Sequence, residues 1–312
     1  MISPGENLLN LCKTANNELT LVSPFIKENA LRRLLDQVQD HVKLTCVTRW
    51  RPEEVKAGVS DLSIWDIVSS RPLSTLLLMP SLHAKYYRSD DSCLIGSANL
   101  TLTALGWSRN PNLELLIQVD CDNDLATWES ELYGKSVAAN ESIREQIQKL
   151  VDQLDDAPLV AVDHSFQEDE EGFGGHELTS IGTEYWLPTL RYPDLLFSAY
   201  SGNLDTLTIG ARQTAISDLT HLKLGNGLRE PAFKAVVGAL LLQMPQVHSV
   251  DQFLSEPRRF GEVRALLRTL QKENGSYNSS DGWQTLMRWL RYFLPERYNV
   301  SVVNYSEIMF RL

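Results

Sequence analysis

Strand-like and helix-like segments alternate along the first hundred residues, and this alternation restricts the fold more than any other feature of the sequence. Residues 18–26 (ELTLVSPFI) form an apolar run rich in β-formers, and residues 27–41 (KENALRRLLDQVQDH) carry apolar side chains at helical spacing. Further segments of alternating type are expected at 42–48 (strand), 51–58 and 60–70 (helices) and 73–79 (strand). Strands separated by helices predict a parallel or mixed sheet with helices packed on it, an α/β fold.

The composition is typical of a soluble globular protein. The chain has 312 residues, of which 43% are hydrophobic and 22% charged, and its length is sufficient for one large or two ordinary domains. No window approaches the roughly 18 apolar residues that a membrane span requires. Residues 1–19 lack a cationic start followed by an apolar stretch, so no secretory signal is expected. We therefore expect a cytoplasmic protein with no membrane partner.

The four cysteines, Cys12, Cys46, Cys93 and Cys121, are scattered along the chain. They form no CxxC pair and have no histidines at zinc-finger spacing, so the sequence predicts neither a zinc site nor a disulfide framework. We expect four ordinary buried thiols, and no metal or other cofactor.

The negative charge is concentrated in the middle of the chain. The formal net charge is −11, and residues 101–200 carry 5 Lys+Arg against 19 Asp+Glu. The acidic run from Asp152 to Glu177 has no periodicity and contains three glycines near its end, which is typical of a solvated linker. The expected parts are a first domain at 1–155, an acidic linker at 156–178 and a C-terminal domain at 179–312.

The C-terminal domain is expected to be mostly helical. A strand pair is predicted around residues 194–210, followed by a buried helix over 232–243 and two further helices, one led by Arg258 and one capped by Asp281. Arginines alternate with aromatic residues in 251–312, where 9 basic residues stand against 7 acidic ones. This small excess favours a solvated arginine face slightly over a surface that binds nucleic acid or a partner protein.

Residues 82–101 (LHAKYYRSDDSCLIGSANLT) concentrate groups that bind or attack phosphate. They predict a hairpin followed by a turn and a helix that starts near Leu100. On a strand, His83 and Lys85 would share one face, and the turn at 96–99 would bring backbone N–H groups, a hydroxyl and an amide close to them. An imidazole can attack phosphorus while an ammonium and an amide stabilise the phosphoryl oxygens. This chemistry needs no metal ion.

Residues 83–90 (HAKYYRSD) and 96–99 (GSAN) resemble the HKD signature of the phospholipase D superfamily. Residues 112–114 (NLE) match the strand that often follows this signature, and segments 23–26 (SPFI) and 48–54 (TRWRPEE) are similar to the opening units of nuclease-type members. The resemblance covers about residues 5–120. It implies a phospholipase D-like mixed sheet flanked by helices, which the mostly helical, α+β C-terminal domain would follow.

The resemblance also implies a role for each site residue. His83 would be the nucleophile, Lys85 and Asn99 would hold the phosphoryl oxygens, and Glu114 would orient His83 and raise its basicity. Ser97 would be either a cap of the first turn or a hydroxyl donor that binds substrate. The alternative reading is a half-buried histidine and a surface lysine on an ordinary strand.

Two other residues of the signature are expected to have structural roles. Asp90 lies in the hairpin turn, where an aspartate commonly caps backbone N–H groups, and Gly96 begins the turn after the second strand. The segment between these two residues is about one residue shorter than in many members, which suggests a tighter hairpin.

The superfamily mechanism uses a second histidine as general acid, and therefore two copies of the signature. The only candidate in 179–312 is the HLK triplet at 221–223, which has the wrong spacing and no aspartate. The HVK triplet at 41–43 also lacks the remaining signature. A single copy implies a homodimer through the first domain, with a two-fold axis between two His83 residues.

The resemblance implies a metal-independent phosphodiesterase that acts through a covalent phosphohistidine, with nucleic acid as the leading substrate class and DNA as its first candidate; the residues do not distinguish DNA from RNA. By resemblance alone, its setting is bacterial restriction or phage defence, with a helicase or another defence subunit as a possible partner. One alternative is a lipid phosphodiesterase, against which stand the single signature and the lack of an interfacial amphipathic segment. The other is a non-catalytic binding subunit, against which stands the intact signature.

Overall fold

The computed structural model describes residues 3–154, 186–270, 279–303 and 306–312. The chain divides into two compact units. The first comprises Met1–Leu154 with Gln243–Pro245, and the second comprises Asp155–Leu242 with Gln246–Leu312. The acidic linker expected at 156–178 lies outside the described residues.

A seven-stranded mixed sheet forms the centre of the first unit. Its strands are β1 Glu18–Val22, β2 Lys43–Thr48, β3 Ser74–Leu78, β4 Tyr86–Ser89, β5 Ser92–Gly96, β6 Leu116–Asp120 and β7 Val137–Ala138. Their order across the sheet is β6-β5-β4-β1-β2-β3-β7. The pairs β1–β2 and β2–β3 are parallel, and the other four are antiparallel. Strand β6 is therefore one edge of the sheet.

Helices connect and cover these strands. They are α1 Pro4–Lys13, α2 Glu28–Leu35, α3 Pro52–Lys56, α4 Ile64–Ser69, α5 Asn123–Lys135 and α6 Glu141–Asp152. Side chains cap three of them, because Ser3, Asp122 and Asn140 accept hydrogen bonds from first-turn backbone N–H groups of α1, α5 and α6. The predicted mixed sheet flanked by helices is confirmed.

Helix α5 covers one face of this sheet. Val22, Val47, Tyr86 and Cys93 form a buried apolar cluster with Leu132 of α5. Each fully buried side chain of this kind contributes about 1.5–3 kcal/mol relative to exposure. Residues two apart on a strand share a face, so alternation along β4 and β5 decides which side chains meet α5.

The cysteines differ from expectation. Cys93 on β5 and Cys121, directly after β6, form a disulfide with their Cα atoms 5.8 Å apart, so the prediction of four free thiols is wrong. The 28-residue spacing of these cysteines gave no signal in the sequence. The register of β5 on β6 pairs Cys93 with Val119, two residues before Cys121, and this pairing brings the two cysteines together. Cys12 and Cys46 are free and buried, and burial raises the pKa of both thiols to about 12.

The second unit is mostly helical, as predicted. Its helices are α7 Leu196–Tyr200, α8 Ile209–Leu222, α9 Glu230–Leu242, α10 Pro245–Phe253, α11 Phe260–Leu270 and α12 Ser279–Phe293. Three antiparallel strands accompany them, namely β8 Arg258–Arg259, β9 Tyr298–Val303 and β10 Ser306–Arg311, in the order β8-β10-β9. The strand pair predicted around 194–210 is wrong, because the chain there forms α7, two short 3₁₀ turns and the start of α8.

A buried carboxylate ties the C-terminal strands to α10. Asp251 is 1% exposed and accepts hydrogen bonds from Arg297 Nε and Nη2, both at 2.8 Å, and from Arg311 Nη1 at 3.0 Å. Burial acts to raise the pKa of Asp251, but the guanidinium of Arg297 outweighs it and the pKa is lowered. Two arginines of the basic C-terminal segment thus have structural partners.

Glu53 gives the first unit an expected pH dependence. Burial raises the pKa of Glu53 from 4.5 to about 7, and Arg51, whose Nη1 lies 3.9 Å from Oε1, offsets this only in part. Between those two pH values Glu53 binds more protons in the folded protein than in the unfolded chain, so its contribution to stability falls as pH rises and levels off above about 7. We expect a loss on the order of 2–3 kcal/mol between pH 5 and 8 in urea unfolding. Glu53→Gln should show a smaller loss, and an unchanged pH dependence in this variant would contradict the assignment.

Candidate active site

Four chain segments meet at one end of the sheet, where β1 and β5 finish and β4 and β6 begin. The register sets Val22 opposite Tyr86, Tyr86 opposite Ile95, and Ile95 opposite Ile117. The residues that lie just beyond these paired positions are therefore neighbours. They form segments 23–26, 83–85, 96–99 and 112–115, which include all of the predicted site residues except Asp90.

His83 and Lys85 lie directly before β4 rather than within it, so their expected placement on a strand is corrected. Their alternation is nevertheless strand-like, because Ala84 packs on the same apolar cluster as Tyr86 while His83 is exposed. The Lys85 carbonyl accepts a hydrogen bond from the Gly96 N–H at 3.3 Å, and Lys85 Nζ donates to the His83 carbonyl at 2.9 Å. The backbone next to His83 thus contacts the turn at 96–99.

Glu114 is held by two neighbouring polar side chains. Ser97 Oγ donates to Glu114 Oε2, and Asn112 Nδ2 donates to Oε1 at 3.2 Å. Ser97 also joins the backbone of this region, because its N–H donates to the Leu115 carbonyl at 2.9 Å and its Oγ accepts from the Leu115 N–H at 3.1 Å. Glu114 precedes β6 and does not lie on it, which corrects its expected strand position.

Asn99 is oriented by Ser23, a residue that no role was predicted for. Ser23 Oγ accepts from the Leu100 N–H at 3.2 Å, and its single proton is shared between Asn99 Oδ1 at 3.2 Å and the Phe25 carbonyl at 2.9 Å. With Oδ1 engaged, the NH₂ group is the end of the Asn99 amide that can donate to an anion. The available signal for Ser23 was its place at the start of the SPFI segment, directly after β1.

The chain after Asn99 forms turns, so the predicted helix starting near Leu100 is wrong. Leu100 is instead extended, forming a parallel bridge with Ile26 and accepting a hydrogen bond from the Lys27 N–H at 2.9 Å. No helix N-terminus follows Asn99. The hydrogen-bond donors that could hold an anion at this end of the sheet are therefore loop N–H groups and side chains.

Tyr87, on β4, binds the turn at 96–99 through a hydrogen bond. Its hydroxyl donates to the Ala98 carbonyl at 2.7 Å, and its ring is fully buried. Burial raises the pKa of Tyr87 well above its usual range, and the nearby Glu114 carboxylate acts in the same direction. Tyr87 is therefore neutral and acts as a fixed hydrogen-bond donor.

Asp90 lies in the hairpin turn at the other end of β4 and has a left-handed backbone (φ 48°). Its carboxylate accepts three backbone hydrogen bonds, from the N–H groups of Asn16 at 2.8 Å, Asn17 at 3.0 Å and Glu18 at 2.9 Å. Burial acts to raise the pKa of Asp90, but these donors outweigh it and the pKa is lowered. Asp90 thus joins the turn to the start of β1, away from His83.

The HLK triplet at 221–223 lies at the C-terminal end of α8, with Lys223 as the C-cap. The His221 ring stacks on Trp186 at 5.7 Å, and its Nδ1 lies 2.9 Å from the Ser217 carbonyl. Within the described residues, no three His, Cys, Asp or Glu side chains are grouped to bind a metal ion, and no helix is long and apolar enough to span a membrane.

Neither a protein-family model nor a curated protein sequence matches this chain. Similar solved structures include NucT from Helicobacter pylori, with 15% identity and a TM-score of 0.34 over 41% of this chain and 84% of NucT. Nuc from Salmonella typhimurium, a phospholipase D family member, gives 14% and 0.35 over 43% of this chain and 90% of Nuc. Phosphatidylserine synthase from Haemophilus influenzae gives 14% and 0.35 over 42% and 35%.

A phospholipase D family member, Nuc, is thus among the solved structures similar to this chain. At these identities and TM-scores, the function of the chain is inferred from its own residues.

Proposed function

We propose that the chain is a metal-independent phosphodiesterase that cleaves nucleic acid, DNA rather than RNA, through a covalent bond to His83. One observation carries the proposal: four segments meet at one end of the sheet. Together they bring an imidazole, an ammonium, a carboxamide and a carboxylate into one region. These groups suit attack on phosphorus and stabilisation of charge on its oxygens.

In the proposed first step, an imidazole nitrogen of His83 attacks phosphorus, a P–N bond forms and the P–O bond to the leaving group breaks. The ammonium of Lys85 and the NH₂ group of Asn99 stabilise the negative charge on the non-bridging oxygens. In the second step, water attacks phosphorus and gives its proton to the second histidine, which was left neutral when it protonated the leaving group. The P–N bond then breaks, which regenerates the imidazole of His83. Glu114, held by Ser97 and Asn112, would orient the far nitrogen of His83.

The leaving oxygen needs a proton. We assign the role of proton donor to His83 of a second copy of the chain. The apolar segment that leads into edge strand β6 supports such a dimer, because Leu113 and Leu115 before the strand and Ile117 within it are 101%, 58% and 47% exposed. Natural proteins rarely leave an apolar edge strand uncovered. A homodimer through the first unit would cover it and supply the second histidine.

Dimer formation is expected to fail when the apolar edge becomes charged. The double variant Leu115→Lys/Ile117→Lys should sediment as a monomer and lose turnover, since each site would lack its second histidine. Val302→Lys, which changes a 69% exposed valine of the second unit, is the matched control and should remain an active dimer. An active monomer of wild-type protein, seen by sedimentation at assay concentrations, would contradict the dimer.

Hydrolysis is expected to persist in EDTA, because no step requires a cation. The test uses pure protein with labelled single- and double-stranded DNA, RNA and phosphatidylcholine, each with and without EDTA. Cleavage of nucleic acid at equal rates in both conditions is the expected result. Loss of activity in EDTA with rescue by magnesium would remove the phosphohistidine mechanism, and cleavage of phosphatidylcholine alone would indicate a lipid enzyme.

A setting in bacterial restriction or phage defence, in the cytoplasm and with a helicase or other defence subunit as partner, belongs to the same proposal and rests on the sequence resemblance. The second unit would then bind nucleic acid or that partner. Its helices α11 and α12 carry arginines among aromatic side chains, and the Arg264 guanidinium lies 5.9 Å from the Phe260 ring centroid.

A further inference from the structure

A buried ion pair lies behind the segment that carries His83. Arg49 directly follows β2, and Glu54 belongs to α3; the two residues are 8% and 9% exposed. Arg49 Nε donates to Glu54 Oε2 at 3.1 Å, and Nη2 donates to Oε1 at 2.6 Å. This two-point geometry fixes the plane of the guanidinium as well as its position.

A third donor of the same guanidinium reaches the backbone beside His83. Arg49 Nη1 donates to the carbonyl of Leu82 at 2.8 Å, and Leu82 immediately precedes His83. The guanidinium also lies over the Phe25 ring, 5.2 Å from its centroid. Arg49 therefore connects α3, the loop after β1 and the approach to His83.

The segment held in this way has no regular secondary structure, since residues 83–85 precede β4. Its backbone position therefore depends on individual contacts, and a hydrogen bond from a charged donor is among the stronger ones. A buried ion pair is in itself weak support for stability, because desolvation of two charges offsets their attraction. The position of the third donor suggests a different use for Arg49.

We infer that Arg49 and Glu54 are positioning residues for His83, with Glu54 fixing Arg49 and Arg49 fixing the Leu82 carbonyl. The inference deepens the proposed function and rests on it. Neither side chain touches the reacting atoms. Their effect should be on the rate of the chemical step rather than on substrate binding, since a displacement of about 1 Å can cost about 100-fold in rate.

The test uses a double variant that removes both charges together. Arg49→Met/Glu54→Leu leaves no unpaired buried charge, so the protein is expected to fold, while the Leu82 carbonyl loses its donor. The matched control is Arg88→Met/Glu129→Gln, which removes both charges and leaves an amide oxygen to accept the hydrogen bond of the Tyr86 hydroxyl. Arg88 binds Glu129 through Nε at 2.8 Å and Nη2 at 2.6 Å, and its Nη1 donates at 3.1 Å to the carbonyl of Asp90, in the distant hairpin turn.

We expect the Arg49/Glu54 variant to lose at least tenfold in kcat with KM changed less than threefold, whereas the control keeps wild-type kcat. Hydrogen–deuterium exchange of the peptide 80–88 should accelerate in the first variant at residues 82–85 and not in the control. Wild-type kcat in the Arg49/Glu54 variant, or an equal fall in both variants, would overturn the inference.

The exchange measurement also separates this inference from the proposed function. If wild-type protein cleaves none of the tested substrates, the proposed function fails, and exchange at 82–85 still decides whether Arg49 holds the His83 segment. Unchanged exchange there overturns the inference. Arg49→Lys provides a further check. Its ammonium cannot bond both Glu54 oxygens and the Leu82 carbonyl in one plane, so this variant should also have a lowered kcat although it keeps the positive charge.

Discussion

Replacing His83 with alanine is expected to abolish turnover, with a fall in kcat on the order of 10⁴-fold or more. The variant loses the nucleophile of the proposed first step, so no covalent intermediate can form. Binding of nucleic acid should survive, because Lys85, Asn99 and the loop N–H groups remain in place. Single-turnover kinetics and a separate binding titration measure the two effects.

The covalent intermediate provides the direct check. Rapid quenching of wild-type protein in alkaline detergent, with substrate labelled at the scissile phosphate, should trap label on the protein. The bond should survive base and be lost in acid, as expected for phosphohistidine. Glu114→Gln should reduce kcat less than His83→Ala, since it costs orientation and basicity and keeps the nucleophile.

His41→Ala is the matched control for this experiment. His41 is exposed, belongs to the same unit and begins another HxK triplet, but it lacks the remaining signature. It should keep wild-type kcat. Full activity in His83→Ala would show that the signature is a coincidence of sequence and would favour a non-catalytic binding protein.

The sequence predicted most of the first sheet because its strands are short apolar runs bounded by strong breaks. β2, β3, β4 and β5 each lie within a predicted segment, and β1 ends earlier than predicted, at Val22. Directly after the strand, the Ser23 hydroxyl contacts Asn99 and accepts from the Leu100 N–H. That contact spans 76 residues, and no local pattern encodes it.

Residues that depend on such distant contacts could not be found from spacing. The Cys93–Cys121 disulfide follows from the register of β5 on β6, and the bond from Arg49 to Leu82 follows from the packing of α3. Similarly, the pattern after Leu100 suits a helix, but the bridge to Ile26 holds that residue extended. Tertiary contacts override local preference at each of these positions.

In the second unit, short apolar runs fit a strand or a helix equally well. Residues 194–210 were predicted as strands and are largely helical, whereas the hairpin of β9 and β10 was not predicted. The hairpin is anchored by Asp251 through Arg297 and Arg311, which lie 46 and 60 residues away in sequence. The sequence therefore identified the type of this unit better than the order of its elements.

Replacing Gly96 with alanine is expected to damage both stability and activity. An added Cβ would overlap the Leu115 carbonyl oxygen and lie 2.8 Å from the Leu115 carbonyl carbon. Both atoms belong to backbone, which cannot move aside as a flexible side chain would. The start of β6 would have to shift, which breaks the hydrogen bonds between Ser97 and Leu115 and displaces Glu114.

We expect Gly96→Ala to lower the free energy of unfolding by about 3 kcal/mol, the upper end of the cost of overpacking, and to reduce kcat at a temperature where the protein is still folded. Gly134→Ala is the matched control, because Gly134 lies within α5 and a Cβ there meets nothing within 4 Å. It should stabilise the protein by about 0.5–1 kcal/mol through helix propensity. Urea unfolding and steady-state kinetics of both variants give the comparison. Wild-type stability in Gly96→Ala would mean that β6 can move away from the turn at little cost, and the rigid junction between Ser97 and Glu114 could then no longer explain how His83 is oriented.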